Sequence, residues 1–122
     1  DSGQVINPLG VKGQIEGAIM MAAGYGICED MPYDNGKILN PNLVDYKLIR
    51  YRHMPVTETI EVDTYEPEGP FGAKEAGEGL TCPTAGALAN AIYHAAGVRI
   101  KDNPMTSEKI LRALKEKGKQ EK

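Results

Sequence analysis

Residues 69–83 read Gly69-Pro70-Phe71-Gly72-Ala73-Lys74-Glu75-Ala76-Gly77-Glu78-Gly79-Leu80-Thr81-Cys82-Pro83. The first eleven are too rich in glycine and proline for regular structure, and the last residues carry the signals of a helix start, with Thr81 or Cys82 as cap and proline inside the first turn. Downstream, Leu88, Ala91, Ile92, Ala95 and Ala96 share one helical face and Gly97 stands as the stop, so Pro83 to Gly97 is expected to be a helix. A short strand is expected at Val98 to Lys101. Thr106 then opens a further helix, with Ile110, Leu111 and Leu114 facing inward and Met105 placed to staple Ile110.

Upstream, Thr57 to Tyr65 alternates Ile60, Val62 and Thr64 with Glu61, Asp63 and Tyr65, and that period of two argues for a strand. Between Glu29 and Val56 the turn signals Pro32, Asp34-Asn35-Gly36, Asn40-Pro41 and Pro55 leave a wandering connection. Before it, Val11, Ile15, Ala18, Ile19 and Ala22 recur at helical spacing behind Asn7-Pro8, giving a helix over about 8–28. The fold class is therefore α+β, with about three helices and a few short strands. Residues 1–114 form the domain portion, and 115–122 a solvated, basic, frayed tail.

The first helix is unusually small on its surface. Gly13, Gly17, Ala18, Ala22, Ala23 and Gly24 lie along it, and glycine inside a helix costs about 1 kcal/mol relative to alanine. Those glycines are worthwhile only if another backbone or a flat ligand comes close.

The core is expected to be thin. Of 122 residues, 14 are glycine, one is Phe and none is Trp. Burial energy scales with apolar area at about 25 cal/mol per Å², so small side chains contribute little. The formal charge of −3 is too small to force disorder, and the segment is expected to fold against the remainder of a longer chain or another subunit. Asp1 to Pro8 reads as the end of a strand running into a turn, as though cut from something larger. No apolar run is long enough to span a bilayer and no secretory leader is visible. With two cysteines lacking metal or disulfide spacing, a cytoplasmic protein with reduced thiols follows. The absence of a basic stripe interleaved with aromatics argues against nucleic acid.

Phosphate-loop templates fail. Gly69 to Lys74 has the wrong spacing and no following Ser or Thr, and Gly77-Glu78-Gly79 lacks the third glycine of a dinucleotide fingerprint. His53 and His94 form no zinc pattern, and no metal ligand is assigned. Cys82 lies at a helix N-terminus without an evident base; a thiol enzyme built on Cys82 and His94 has no support in their spacing, and packing is the better reading of Cys82. Glu78 stands out: flanked by two glycines, its carboxylate is open to a substrate or metal centre, and the positive end of the following helix favours its ionised form. Taken alone, such a glutamate is far more often a solvated turn residue.

The segment Gly69 to Gly79 resembles the catalytic loop of the xanthine dehydrogenase and aldehyde oxidase family of molybdenum hydroxylases. Asp1-x-Gly3-x-x-x-Asn7-Pro8 and Gly13-Gln14-Ile15-Glu16-Gly17-Ala18 are similar to the family's cofactor-side loop and helix, and Asp45-Tyr46-Lys47 and Pro104 to Leu111 also match. The resemblance is to the C-terminal part of the large, molybdopterin-binding subunit, and the loop is most similar to the 4-hydroxybenzoyl-CoA reductase branch. Gly79-Leu80 stands where many members carry Pro-Pro, which leaves the substrate (purine, aldehyde or aromatic acyl-CoA) open.

The resemblance implies a fragment of a molybdopterin-binding domain, with Glu78 as catalytic general base on a hydroxyl or water ligand of molybdenum and Gln14 as a cofactor-binding residue that hydrogen-bonds the pterin. Glu75 matches no catalytic position. It further implies molybdenum-molybdopterin in a dinucleotide form, iron–sulfur clusters and FAD on partner subunits or domains, a small-molecule substrate and an oligomer. The fragment alone is expected to be inactive. The rival from another class is a non-catalytic truncated module that only makes subunit contacts, a role that the thin core also fits.

Overall fold

The computed structural model describes residues 1–62 and 64–120. Helix α1 spans Pro8–Ile27. It starts where the sequence says it should: the Asn7 side chain accepts from the Gly10 N–H at 3.0 Å and Pro8 takes the first helical position, where a missing N–H costs nothing. It ends at Cys28, whose N–H donates to the Gly24 carbonyl. A two-residue hairpin follows, β1 (Tyr33–Asp34) antiparallel to β2 (Lys37–Ile38), turned by Asn35-Gly36. A single helical turn, α2 (Leu43–Tyr46), is capped by Asn42, which accepts from the N–H groups of Val44 and Asp45.

Helix α3 spans Cys82–Ala96 and α4 spans Ser107–Gln120. Gly97 closes α3 in the left-handed region, φ 66°, with its N–H on the Tyr93 carbonyl at 2.7 Å, a conformation that a side chain would strain. Helices α1 and α3 pack together. They meet at Gly26, where the Leu88 Cδ1 lies 3.3 Å from the position a Cβ would take.

The core is as thin as the composition implies. Among the described residues the buried apolar side chains include Ala18, Ala22, Ala23, Val98 and Met105. Met105 anchors the approach to α4 by donating its N–H to the Gly26 carbonyl at 2.7 Å.

Several local expectations are corrected. Neither Thr57 to Tyr65 nor Val98 to Lys101 forms a strand among the described residues, and Asp63 lies outside them. Alternation alone does not make a strand: with no neighbouring ladder to pair with, Ile60 and Val62 stand exposed. At 98–101 packing replaces pairing, since Val98 is buried and the Arg99 guanidinium stacks 4.2 Å over the Tyr93 ring while bonding Asn90 at 2.7 Å. Thr81 does not cap α3 with its side chain but donates back to the Glu78 carbonyl at 2.7 Å. Residues 115–120 are exposed and helical and continue α4; residues 121 and 122 lie outside the described part. Leu111 and Leu114 are exposed rather than inward.

Candidate functional site

The glycine-rich loop is shaped by two residues in the left-handed region, Phe71 at φ 54° and Gly72 at φ 77°. Gly72 is buried, and its carbonyl receives two N–H groups, from Gln4 at 2.8 Å and Glu66 at 3.0 Å. The Tyr65 ring occupies the space that a Cβ at position 72 would need. The N–H groups of Gly72 and Ala73 are turned inward, onto the carbonyls of Gly69 and Pro70. That spends them on the turn itself.

Glu78 opens a 3-10 turn, Glu78–Thr81, that runs directly into α3. The turn is held by the Leu80 N–H on the Gly77 carbonyl at 3.1 Å and by the Thr81 hydroxyl on the Glu78 carbonyl. It is fastened to α1 by the Tyr25 hydroxyl, which donates to the Thr81 carbonyl at 3.3 Å. The Glu75 carboxylate lies along the two glycines: one oxygen fills the side-chain space of Gly77, and the other is 3.2 Å from where a Cβ on Gly79 would stand. Glu78 itself is exposed.

Gln14 and Glu78, singled out far apart in the chain, line one cavity of about 180 Å³. Its other walls are Gly13, Gly17, Ala18 and Met21 from α1 and Gly77 and Thr81 from the turn. Gln14, Gly17, Ala18 and Met21 sit at helical spacing and so share a face. Cβ atoms built at Gly13 and Gly17 meet nothing within 4 Å. Of the small stripe on α1, Ala18, Ala22, Ala23 and Gly24 are buried within the chain, whereas Gly13 and Gly17 face open space. These two leave bare helix backbone beside a side-chain amide that can both donate and accept, and such a surface fits the edge and face of a flat heterocycle. A second cavity, of about 290 Å³, shares Gln14 and is lined by Ser2, Asn7 and Lys74 among others.

Among the described residues no group of three or more His, Cys, Asp or Glu could hold a metal ion. His94 is exposed on α3, and His53 is exposed with Nδ1 accepting from the Arg50 N–H at 3.3 Å. Cys28 and Cys82 are free, and burial together with the neighbouring Glu29 carboxylate pushes the Cys28 thiol pKa up. Sequence reasoning gave no site role to Tyr25 or Met21, and read Thr81 only as a cap. Met21 was readable from the α1 periodicity, whereas the Tyr25 link to Thr81 joins residues 56 apart, for which one sequence carries no local signal.

Residues 1–55 match the family model described as the molybdopterin cofactor-binding domain. The chain is 38% identical over 112 residues to the putative xanthine dehydrogenase molybdenum-binding subunit of Escherichia coli K12, covering 90% of this chain and 15% of that protein. It is 33% identical over 116 residues to the aldehyde oxidoreductase molybdenum-binding subunit of the same organism, covering 93% of this chain and 16% of that one. The fold superposes on the crystal structure of a Cu,Mo-CO dehydrogenase with a TM-score of 0.84 at 25% identity, covering 97% of this chain and 15% of the other. The chain thus spans about 15% of the length of the curated relatives it matches. No helix among the described residues is long and apolar enough to cross a membrane. Residues 1–55 thus match the molybdopterin cofactor-binding domain model, and over most of its length the chain is similar to a segment of the molybdenum-binding subunits of a xanthine dehydrogenase and an aldehyde oxidoreductase.

Proposed function

We propose that this chain is part of a cytoplasmic molybdenum-dependent oxidoreductase, to which it contributes a general base, Glu78, and part of the pterin site through Gln14. The observation that carries this reading is the shared cavity: two residues 64 positions apart in sequence line one space whose helix wall is left open at Gly13 and Gly17. When bound, the molybdenum cofactor supplies the two-electron redox chemistry, and the protein contributes binding, orientation and proton handling.

Each residue has a separate duty. The Gln14 amide holds the pterin edge by donating and accepting hydrogen bonds. Gly13 and Gly17 let a flat ring approach the main chain, and Met21 and Ala18 supply an apolar wall. Glu78 takes up a proton on a carboxylate oxygen. Exposed on its turn, it is reachable by a small molecule entering from the cavity side. The dinucleotide form of the pterin, the oligomeric assembly and partner subunits bearing iron–sulfur clusters and FAD belong to the same reading. The relatives' names describe subunits, which supports an assembly of several chains. The substrate class extends over aldehydes, purines and aromatic acyl-CoA thioesters, with the 4-hydroxybenzoyl-CoA reductase branch favoured by the loop's wording.

Replacing Glu78 by Gln in the complete subunit, assembled with its partners, should leave molybdenum content unchanged while turnover falls by about 10² to 10⁴. Near-normal turnover in that variant refutes the assignment. A second reading, a contact module without catalytic duty, draws on the apolar side chains left outside, among them Val44, Val56 and Ile60. The same variant decides between the two, because a contact module tolerates Gln at position 78.

A further inference from the structure

Three donors converge on one carboxylate at Asp1. Oδ1 accepts the Gly3 N–H at 2.9 Å and the Thr64 hydroxyl, and Oδ2 accepts the Lys74 ammonium at 2.7 Å. An ion pair this exposed, with 38% and 39% of the two side chains open to solvent, adds little stability by itself. Its surroundings give it a different role. The segments carrying Asp1 and Lys74 are also joined through their backbones: the Lys74 N–H donates to the Ser2 carbonyl at 2.8 Å, the Gln4 N–H donates to the Gly72 carbonyl at 2.8 Å, and Gly3 faces Ala73 in an antiparallel bridge. Gly3 sits at φ 64°, and a Cβ there would meet the Gly72 carbonyl oxygen and stand 2.9 Å from the Lys74 nitrogen. Main chain lies directly on main chain, and Ser2, Gly3 and Gly72 are all buried.

The positions of these contacts along the chain matter. Asp1 precedes Asn7, the cap of the helix that carries Gln14, and Lys74 precedes Glu78 by four residues. Beyond Glu78, the Thr81 carbonyl is fastened to α1 through Tyr25. Glu78 therefore stands between two attachment points, with Lys74 before it and Thr81 after it, and both lead back to α1 or to its entry.

We propose that Asp1 and Lys74 are positioning residues, whose clasp fixes the glycine-rich loop against the segment entering α1 and so sets where Glu78 stands across the cavity from Gln14. The Lys74 ammonium is engaged by Asp1, which makes it an anchor and not a group offered to substrate. The proposal rests on the role given to Glu78 above. A misplacement of about 1 Å at a reacting group costs on the order of 10²-fold in rate, so a clasp of small thermodynamic worth has a disproportionate effect on turnover.

The test uses the complete subunit, assembled with its partners and loaded with molybdenum, in the variants Asp1→Asn, Lys74→Met and Lys74→Arg. Hydrogen exchange at the amides of Gln4 and Lys74 should quicken by about tenfold or more in Asp1→Asn and Lys74→Met, with exchange inside α3 unchanged. In the same two variants kcat should fall on the order of tenfold with KM nearly constant, and Lys74→Arg should recover both properties. Unaltered exchange at both amides, or unaltered kcat in both variants, overturns the proposal. Should Asp1→Asn fail to fold, Lys74→Met, whose side chain is more than a third exposed, decides alone. The exchange readout does not depend on turnover: failure of Glu78 as base is read in Glu78→Gln, and failure of the clasp in the two amides.

Discussion

The Tyr25 hydroxyl reaches from α1 to the carbonyl of Thr81 across 3.3 Å, and it is the bond that ties the turn beginning at Glu78 to the helix bearing Gln14. Replacing Tyr25 by Phe leaves the ring in place and strands a partly buried carbonyl. Such a loss should lower stability by about 1 kcal/mol, measurable by denaturant unfolding of the chain in its complete subunit. Turnover should suffer more than substrate affinity.

Gly13 and Gly17 present a reversal of the usual trade. Each faces open space, so Gly13→Ala and Gly17→Ala meet no clash and should each raise helix stability by about 0.5–1 kcal/mol. A methyl group on that wall intrudes on the cavity shared by Gln14 and Glu78. Both variants are therefore expected to melt higher and to retain less pterin, the latter measured as the ratio of released cofactor to protein.

Gly72→Ala should go the other way. The backbone is left-handed at this position and the Tyr65 ring fills the Cβ site, so strain and overlap act together. A loss of about 2 kcal/mol or more is expected, read as a lowered unfolding midpoint. Tyr65→Ala should recover part of it by clearing the space.

The two thiols should differ in reactivity. Cys82 is exposed, while the Cys28 thiol pKa is raised first by burial and then by the Glu29 carboxylate, with Lys47 opposing weakly. At about pH 8, an alkylating reagent should modify Cys82 at least about tenfold faster than Cys28, as followed by peptide mass spectrometry. Glu29→Gln removes a negative charge from beside Cys28 and should narrow the gap.

Alkaline titration reports on the same corner of the molecule. The Tyr46 hydroxyl donates to Glu29 Oε2 at 2.9 Å, and that bond, with a smaller contribution from burial, raises its pKa above 10.0. The folded chain holds the phenolic proton more tightly than the unfolded chain does. The resulting stabilisation is whole below about pH 10 and is lost as pH rises through the raised value. The stability difference between the native sequence and Tyr46→Phe should be flat from about pH 7 to 9 and shrink above 10, with phenolate absorbance as the monitor.

Helices were the legible part of this chain. Asn7-Pro8 marked the start of α1 and Gly97 the end of α3, because caps and stops are local chemistry written in a few neighbouring residues. The alternating stretch from Thr57 misled, since a strand is completed by its neighbour and the described residues hold none for it. Glu78 and Gln14 were reached through resemblance and not through periodicity, and only the folded chain brings them to one cavity. The anchors around them were invisible for a related reason. Asp1 meets Lys74 and Tyr25 meets Thr81 across long stretches of chain, and nothing in either local sequence announces the partner.

The irregular run at 57–62 also bears on handling. Ile60 is 80% exposed and Val62 54% exposed, in a run with no strand partner among the described residues. Exposed, alternating β-branched side chains of this kind invite association between copies. Expressed by itself, the segment should self-associate through this run, and Ile60→Lys or Val62→Pro would be the first change to try for keeping it dispersed.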